Sequence, residues 1–277
     1  MPHRGTARLG SAHIAGALRA VVAMAGLCVA CTESPVAWND TRSGKMLVGD
    51  ALAPDGTLGS DSMAVLATRI APPDPQVCAG SLVLARARGR LFAVWWRVRP
   101  DSGALLLAAH TDDGGRTWSA PAAVDTTDRS VSGCGRAPPA IAADSASGYV
   151  HVAFALLGRE GPGLFYAHSM DAGATFHAAV PIFYGDRLGR SSVASDGDVV
   201  AVAFEDPNSR APRIGIALSR SMGHIFEERL LPISDDNEIA TRPMVAVHGR
   251  QLAVAWRRGD PSDDVPDVLA VRTGMLR

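Results

Sequence analysis

Three arginines recur in matching surroundings: Arg136-Ala137-Pro138-Pro139, Arg190-Ser191-Ser192 and Arg242-Pro243-Met244, each just ahead of a short apolar stretch. A guanidinium is planar and permanently charged, and its paired N–H donors match the two oxygens of a carboxylate. Three such groups converging on one point would bind an anion. The same recurrence also suits a scaffold in which each arginine holds an ion pair between neighbouring units. Composition weighs on the choice, because Lys45 is the only lysine among 27 basic residues and arginine is this chain's ordinary cation. Cys78 and Cys134 likewise stand ahead of apolar strands. They either bridge, stabilising by roughly 2–4 kcal/mol, or remain two buried thiols. No H-E-x-x-H, paired-cysteine metal spacing, phosphate loop or nucleophile elbow occurs, so neither a metal nor a cofactor is expected.

The elements that place these residues form a repeat, the first thing to seek in a chain of this kind. Thr111-Asp112-Asp113-Gly114-Gly115-Arg116-Thr117-Trp118 fits the pattern S/T-x-D-x-G-x-T-W/F, and Ser169 to Phe176 fits it again. Ser219 to Phe226 is a decayed copy, with Ser221 for Asp and Ile225 for Thr. A second landmark is a short apolar strand ending in an aromatic, at Trp38, Trp96, Phe154, Phe204 and Trp256. Fifteen residues beyond the first four lie Ala53, Thr111, Ser169 and Ser219, so Ala53 to Thr57 reads as a worn copy of the same turn. This pattern resembles the Asp-box repeat of bacterial neuraminidases. The resemblance implies a β-propeller of the sialidase-like superfamily, with the boxes on its strand-connecting turns. Local hydrogen bonding gives the box aspartates Asp113 and Asp171 a structural role, since Asp and Gly are what such turns require.

Each unit reads as four strands, A to D; in the second these are Ser81 to Ala87, Leu91 to Trp96, Ala104 to Ala109 and Ala120 to Val124. Short, continuously apolar strands suit sheets covered on both faces, as stacked blades are. The expected fold is all-β, a propeller of about five four-stranded antiparallel blades, or an incomplete six-bladed propeller of the sialidase type. The strand-B aromatics should pack between blades. The ends do not match simply, because the first unit offers B, C and D while the last offers A, B and C.

Alternation places the B–C and D–A loops on one face and the box turns on the other. The first of these faces is densely charged and carries Arg136, Arg190 and Arg242 at the starts of the inner strands. In the sialidase family three arginines bind the substrate carboxylate, an Asp in a B–C loop is the general acid/base, and a Tyr activated by Glu is the nucleophile. The resemblance therefore points to Asp101 as the acid/base position, Arg99 as a carboxylate binder, and Tyr184, in a D–A loop, as the tyrosine on the correct face. No Tyr–Glu pair is legible, and the family's F-R-I-P signature is missing apart from an echo at Arg69 to Pro72.

Residues 1–31 read as an export leader: Arg4, Arg8 and Arg19 precede an apolar run, Ala20 to Ala30, too short to span a bilayer. Its end at Ala30-Cys31 resembles a bacterial lipobox, which implies lipid on Cys31 and a place at the outer membrane or facing the periplasm. An ordinary signal, giving a periplasmic or secreted protein, is the alternative. Residues 32–277 then form the propeller domain, attached to the membrane only through the lipid. A formal net charge of −1 argues against nucleic acid as a partner. The expected role is a non-catalytic module binding an acidic glycan or an envelope protein. The alternative is an exo-α-sialidase-type glycoside hydrolase.

Overall fold

The computed structural model describes residues 34–45, 74–186, 189–206, 208, 211–227, 230–236, 238–259 and 268–277. Cys31 with the leader, the worn turn at 53–57 and the echo at 69–72 lie outside these residues. Two strands open the described chain, β1 (Val36–Trp38) and β2 (Arg42–Lys45). The first blade is β3 (Val83–Ala87), β4 (Arg90–Val98), β5 (Ala104–Thr111) and β6 (Ala122–Asp125). The second is β7 (Ala140–Ala143), β8 (Val150–Leu157), β9 (Pro162–Ser169) and β10 (Val180–Tyr184). The third is β11 (Ser191–Asp196), β12 (Val199–Asp206), β13 (Arg213–Ser219) and β14 (Leu231–Pro232). The fourth contains β15 (Ala240–His248), β16 (Gln251–Arg258) and β17 (Val268–Leu276). Strands within every blade pair antiparallel in chain order, and β3, β7, β11 and β15 pack one against the next as the inner strands. The fold is an all-β propeller.

The chain ends resolve differently from the five-unit reading. Val36–Trp38 is no strand B of a separate blade. It lies along Gly274–Leu276 as the outermost strand of the fourth blade, and β2 continues along Val268–Val271. Among the described residues there are therefore four blades. Trp38 shares the local pattern of the other aromatics but is half-buried, with the Arg272 guanidinium 5.4 Å from its ring centre.

The remaining aromatics pack between blades as their spacing implies. Trp96, Phe154 and Trp256 are fully buried and Phe204 nearly so; removing each such side chain from water contributes roughly 1.5–3 kcal/mol. Trp96 meets Phe154 edge-on across the first seam at 6.2 Å, while Phe204 lies 4.5 Å from Phe183 across the second.

The three turns between third and fourth strands share one hydrogen-bond plan. Asp113 Oδ1 accepts the Thr111 hydroxyl at 2.8 Å and the Thr117 N–H at 2.9 Å, and its Oδ2 accepts the Thr117 hydroxyl at 2.6 Å. Asp171 repeats this with Ser169 and Thr175 at 2.7, 2.9 and 2.6 Å. Burial works against ionisation of Asp171, but the Thr175 and Ser169 bonds outweigh it and its pKa falls to about 2. In the third turn the Ser221 hydroxyl takes the carboxylate's place, accepting Ile225 N–H at 3.0 Å. Gly114, Gly173 and Gly223 have positive φ, and the close approach of the Tyr166 hydroxyl to Gly223 leaves no room for a side chain there.

Candidate anion site at the blade axis

At the end of the ring where the inner strands begin, residues from all four blades enclose a cavity of about 590 Å³. Leu82, Pro139 and Leu269 give it apolar walls; Arg190, Arg242 and Arg257 give it positive charge. Arg190 immediately precedes β11 and Arg242 lies near the start of β15, so both reach the axis because inner strands start there. Arg257 comes from the end of β16 on the same side of the ring. Ser192 is occupied elsewhere, its hydroxyl accepting Val245 N–H at 3.2 Å and tying the third blade to the fourth.

One carboxylate organises the two inner-strand arginines through their main chain. Glu205 Oε2 accepts the Arg190 N–H at 3.1 Å, and its Oε1 accepts the Arg242 N–H at 2.7 Å. Glu205 N–H returns a bond to the Arg190 carbonyl at 3.1 Å. Among the described residues neither guanidinium has a hydrogen-bond or ion-pair partner.

Arg136 does not join them. Its guanidinium is buried against Asp128 at 2.7 Å, with side-chain exposures of 5% and 1%. It also donates to the carbonyls of Ser130, at 2.6 Å, and Gly133, and lies 5.6 Å from the centre of the Trp96 ring. Asp128 completes the tie by accepting Leu157 N–H at 3.0 Å from the second blade. Arg136 is thus engaged within the connection between the first two blades and does not line the cavity.

The catalytic candidates are dispersed. Exposed Asp101 accepts Gly103 N–H at 2.9 Å within its own β4–β5 turn and pairs with half-buried Arg99 at 3.4 Å, neither lining the cavity. Tyr184 has a glutamate after all, its hydroxyl donating to Glu160 Oε2 at 2.8 Å. Tyr184 ends β10, the outermost strand of the second blade, and Glu160 lies in the β8–β9 turn, so the pair sits at the blade's outer side rather than in a loop at the axis. The hydrogen bond to Glu160 raises the phenol's pKa, and neither residue lines the axial cavity. Cys78 and Cys134 are joined as a disulfide with Cα atoms 5.3 Å apart, tying the entry to the first blade to the connection leaving it.

In the sequence Glu205 is one charge among many in the loops, and its special position goes unseen. The signal that could have found it is register: the residue after each strand-B aromatic is Arg97, Ala155, Glu205 or Arg257, and that position faces the loops around the inner-strand starts. Arg97 is engaged by Asp74 at 2.7 Å.

No protein-family model matches the chain, and no curated protein does. Solved structures do resemble it. A Dyadobacter fermentans protein of unknown function has 16% identity and a TM-score of 0.53, covering 70% of this chain and 52% of its own. The Hadza microbial sialidase Hz136 has 21% identity and a TM-score of 0.47 over 64% of this chain and 41% of its own. A Trypanosoma rangeli sialidase has 15% identity and a TM-score of 0.48 over 68% and 29%. The chain thus spans about half the length of the first and less of the others, and at these identities the likeness concerns the fold alone.

Proposed function

We propose that this protein is a non-catalytic receptor of the sialidase-like propeller type, binding the carboxylate of an acidic glycan in its axial cavity. The observation that carries this reading is the pair of unengaged guanidiniums, Arg190 and Arg242, on the wall of a cavity of about 590 Å³. That volume suits a single sugar, and two forked donors beside apolar walls suit an anion with a carbon skeleton. The three third-to-fourth-strand turns are then Asp boxes, kept for the fold. The leader at residues 1–31 exports the chain, and lipid on Cys31 holds it at the cell envelope; both belong to the same proposal.

Asp101, Glu160 and Tyr184 do not line the cavity that Arg190 and Arg242 share, which favours binding over turnover. The test uses the purified mature protein, with N-acetylneuraminic acid titrated by calorimetry and a fluorogenic sialoside as substrate. Binding that Arg190→Ala weakens at least tenfold, without aglycone release, is the expected result. Turnover abolished by Asp101→Ala would overturn the receptor reading in favour of a hydrolase, and absence of any binding would overturn both. Mass spectrometry should find a diacylglyceryl group on Cys31; an unmodified N-terminus elsewhere would remove the anchor.

A further inference from the structure

We infer that Glu205 is a positioning residue for the anion site: by accepting the main-chain N–H groups of both Arg190 and Arg242, it aims two guanidiniums from different blades into one cavity while leaving their charge free. The inference rests on the receptor reading and adds a residue that neither touches the ligand nor is expected from the arginines alone.

A carboxylate this close to two arginines would ordinarily pair with a guanidinium, consuming its forked donors and cancelling the charge an anion needs. Arg136 is the internal control, because its guanidinium is taken up by Asp128 and it is lost to the cavity. Glu205 uses the other donors. Its two oxygens go one each to the amides of Arg190 and Arg242, at 3.1 and 2.7 Å, so its charge is satisfied by main-chain dipoles. What it fixes is the relative position of two Cα atoms at the starts of separate inner strands, and hence the span between the side chains they carry.

Two local features mark this arrangement as built. Arg242 has a φ of 55°, in the left-handed region that a side chain of this kind rarely adopts. The short bond from its own N–H to Glu205 holds it there. Gly189, just before Arg190, lies so close to Glu205 that a Cβ would stand 1.8 Å from Oε2 and 2.7 Å from the glutamate Cβ. Only glycine at 189 lets the carboxylate reach both amides. That glycine is needed for space, since its φ lies outside the positive range.

The experiment compares wild type, Glu205→Gln and Gly189→Ala in the full mature protein. Gln keeps one accepting oxygen but turns an N–H₂ toward the other amide; Ala displaces the carboxylate without changing any charge. Hydrogen exchange at the Arg190 and Arg242 amides is read first, without ligand, and N-acetylneuraminic acid affinity second, with the thermal midpoint alongside. Expected are at least tenfold faster exchange at one or both amides and at least tenfold weaker binding in both variants, with cooperative unfolding retained. Wild-type affinity in Glu205→Gln, or weaker binding with both amides still protected, overturns the positioning role while the receptor reading stands. A variant that loses cooperative unfolding, while the other binds as wild type does, also overturns it. Wild-type protein that binds no sugar despite protected amides defeats the receptor reading and the positioning role together.

Discussion

The seam between the first and second blades and the seam between the second and third solve the same packing problem with different chemistry. The first is apolar at its centre, around Trp96 and Phe154, and laced at its edges by charge. Arg88 donates to the carbonyls of Ser145 and Ala146, Arg90 holds Asp112 of its own blade at 2.7 Å and donates to the Ala172 carbonyl of the second at 3.5 Å, and Arg136 is buried on Asp128 in the connection between the blades. The second seam is lined with polar aromatics: His151 Nδ1 meets the Tyr166 hydroxyl at 2.6 Å, Tyr166 packs on Phe226, and His168 lies 4.7 Å from His224. At this seam the arginine ahead of the inner strand stays open. Equivalent positions in the repeat have thus been divided, one seam fastening its cations and the next presenting one. The neighbour that decides is an acid, Asp128 for the guanidinium of Arg136 and Glu205 for the amide of Arg190.

The division can be broken most forcefully at the first seam. Asp128→Ala should cost about 3–5 kcal/mol, because it strands a buried guanidinium; urea denaturation would measure it, and a loss under about 1 kcal/mol would contradict the scaffold role. Replacing Cys78 and Cys134 together by Ser should cost roughly 2–4 kcal/mol, and reductant should lower the thermal midpoint of the native protein but not of that variant. The second seam should respond to acid instead. Burial pushes the pKa of His151 down to about 4, against 6.5 for a free imidazole side chain. Between those values the unfolded chain binds the proton and the folded one does not. The stability from neutral His151 is therefore complete above pH 6.5 and declines as pH falls toward 4, by on the order of 3 kcal/mol. His151→Gln, which still offers Tyr166 a partner, should flatten this slope in a pH series of denaturation curves. Arg190→Ala and Arg242→Ala should be the mildest for stability, within about 0.5 kcal/mol. A larger loss in calorimetric scans would mean that these arginines fasten blades as Arg136 does.

The parts of this fold that could be read beforehand are those in which position along the repeat fixes environment. Trp96, Phe154, Phe204 and Trp256 had to face a neighbouring blade because strands alternate and blades stack, and the turns at 111–118 and 169–176 carry their own hydrogen-bond partners within a few residues. What escaped depends on distant pairing. Val36–Trp38 has the local signature of a strand B, and only its register against Gly274–Leu276 reveals an edge strand. Arg136, Arg190 and Arg242 share a context, so their different fates are set by the acids that fold beside them. Glu160 and Tyr184 lie 24 residues apart and meet only because β9 returns the chain between them.

The pairing of β1 with β17 also sets an order of events in time. Asn39 and Thr273, whose side chains meet at 2.8 Å, are 234 residues apart in the chain. A ribosome adding about 5–20 residues per second leaves β1 waiting roughly 10–50 s for its partner. The first three blades contain all their own strands and can form by themselves, whereas the fourth is completed by a strand made well before its other three. The last blade is therefore the late step of assembly, and the edge of β1 is the surface that must be kept from other partners until it occurs.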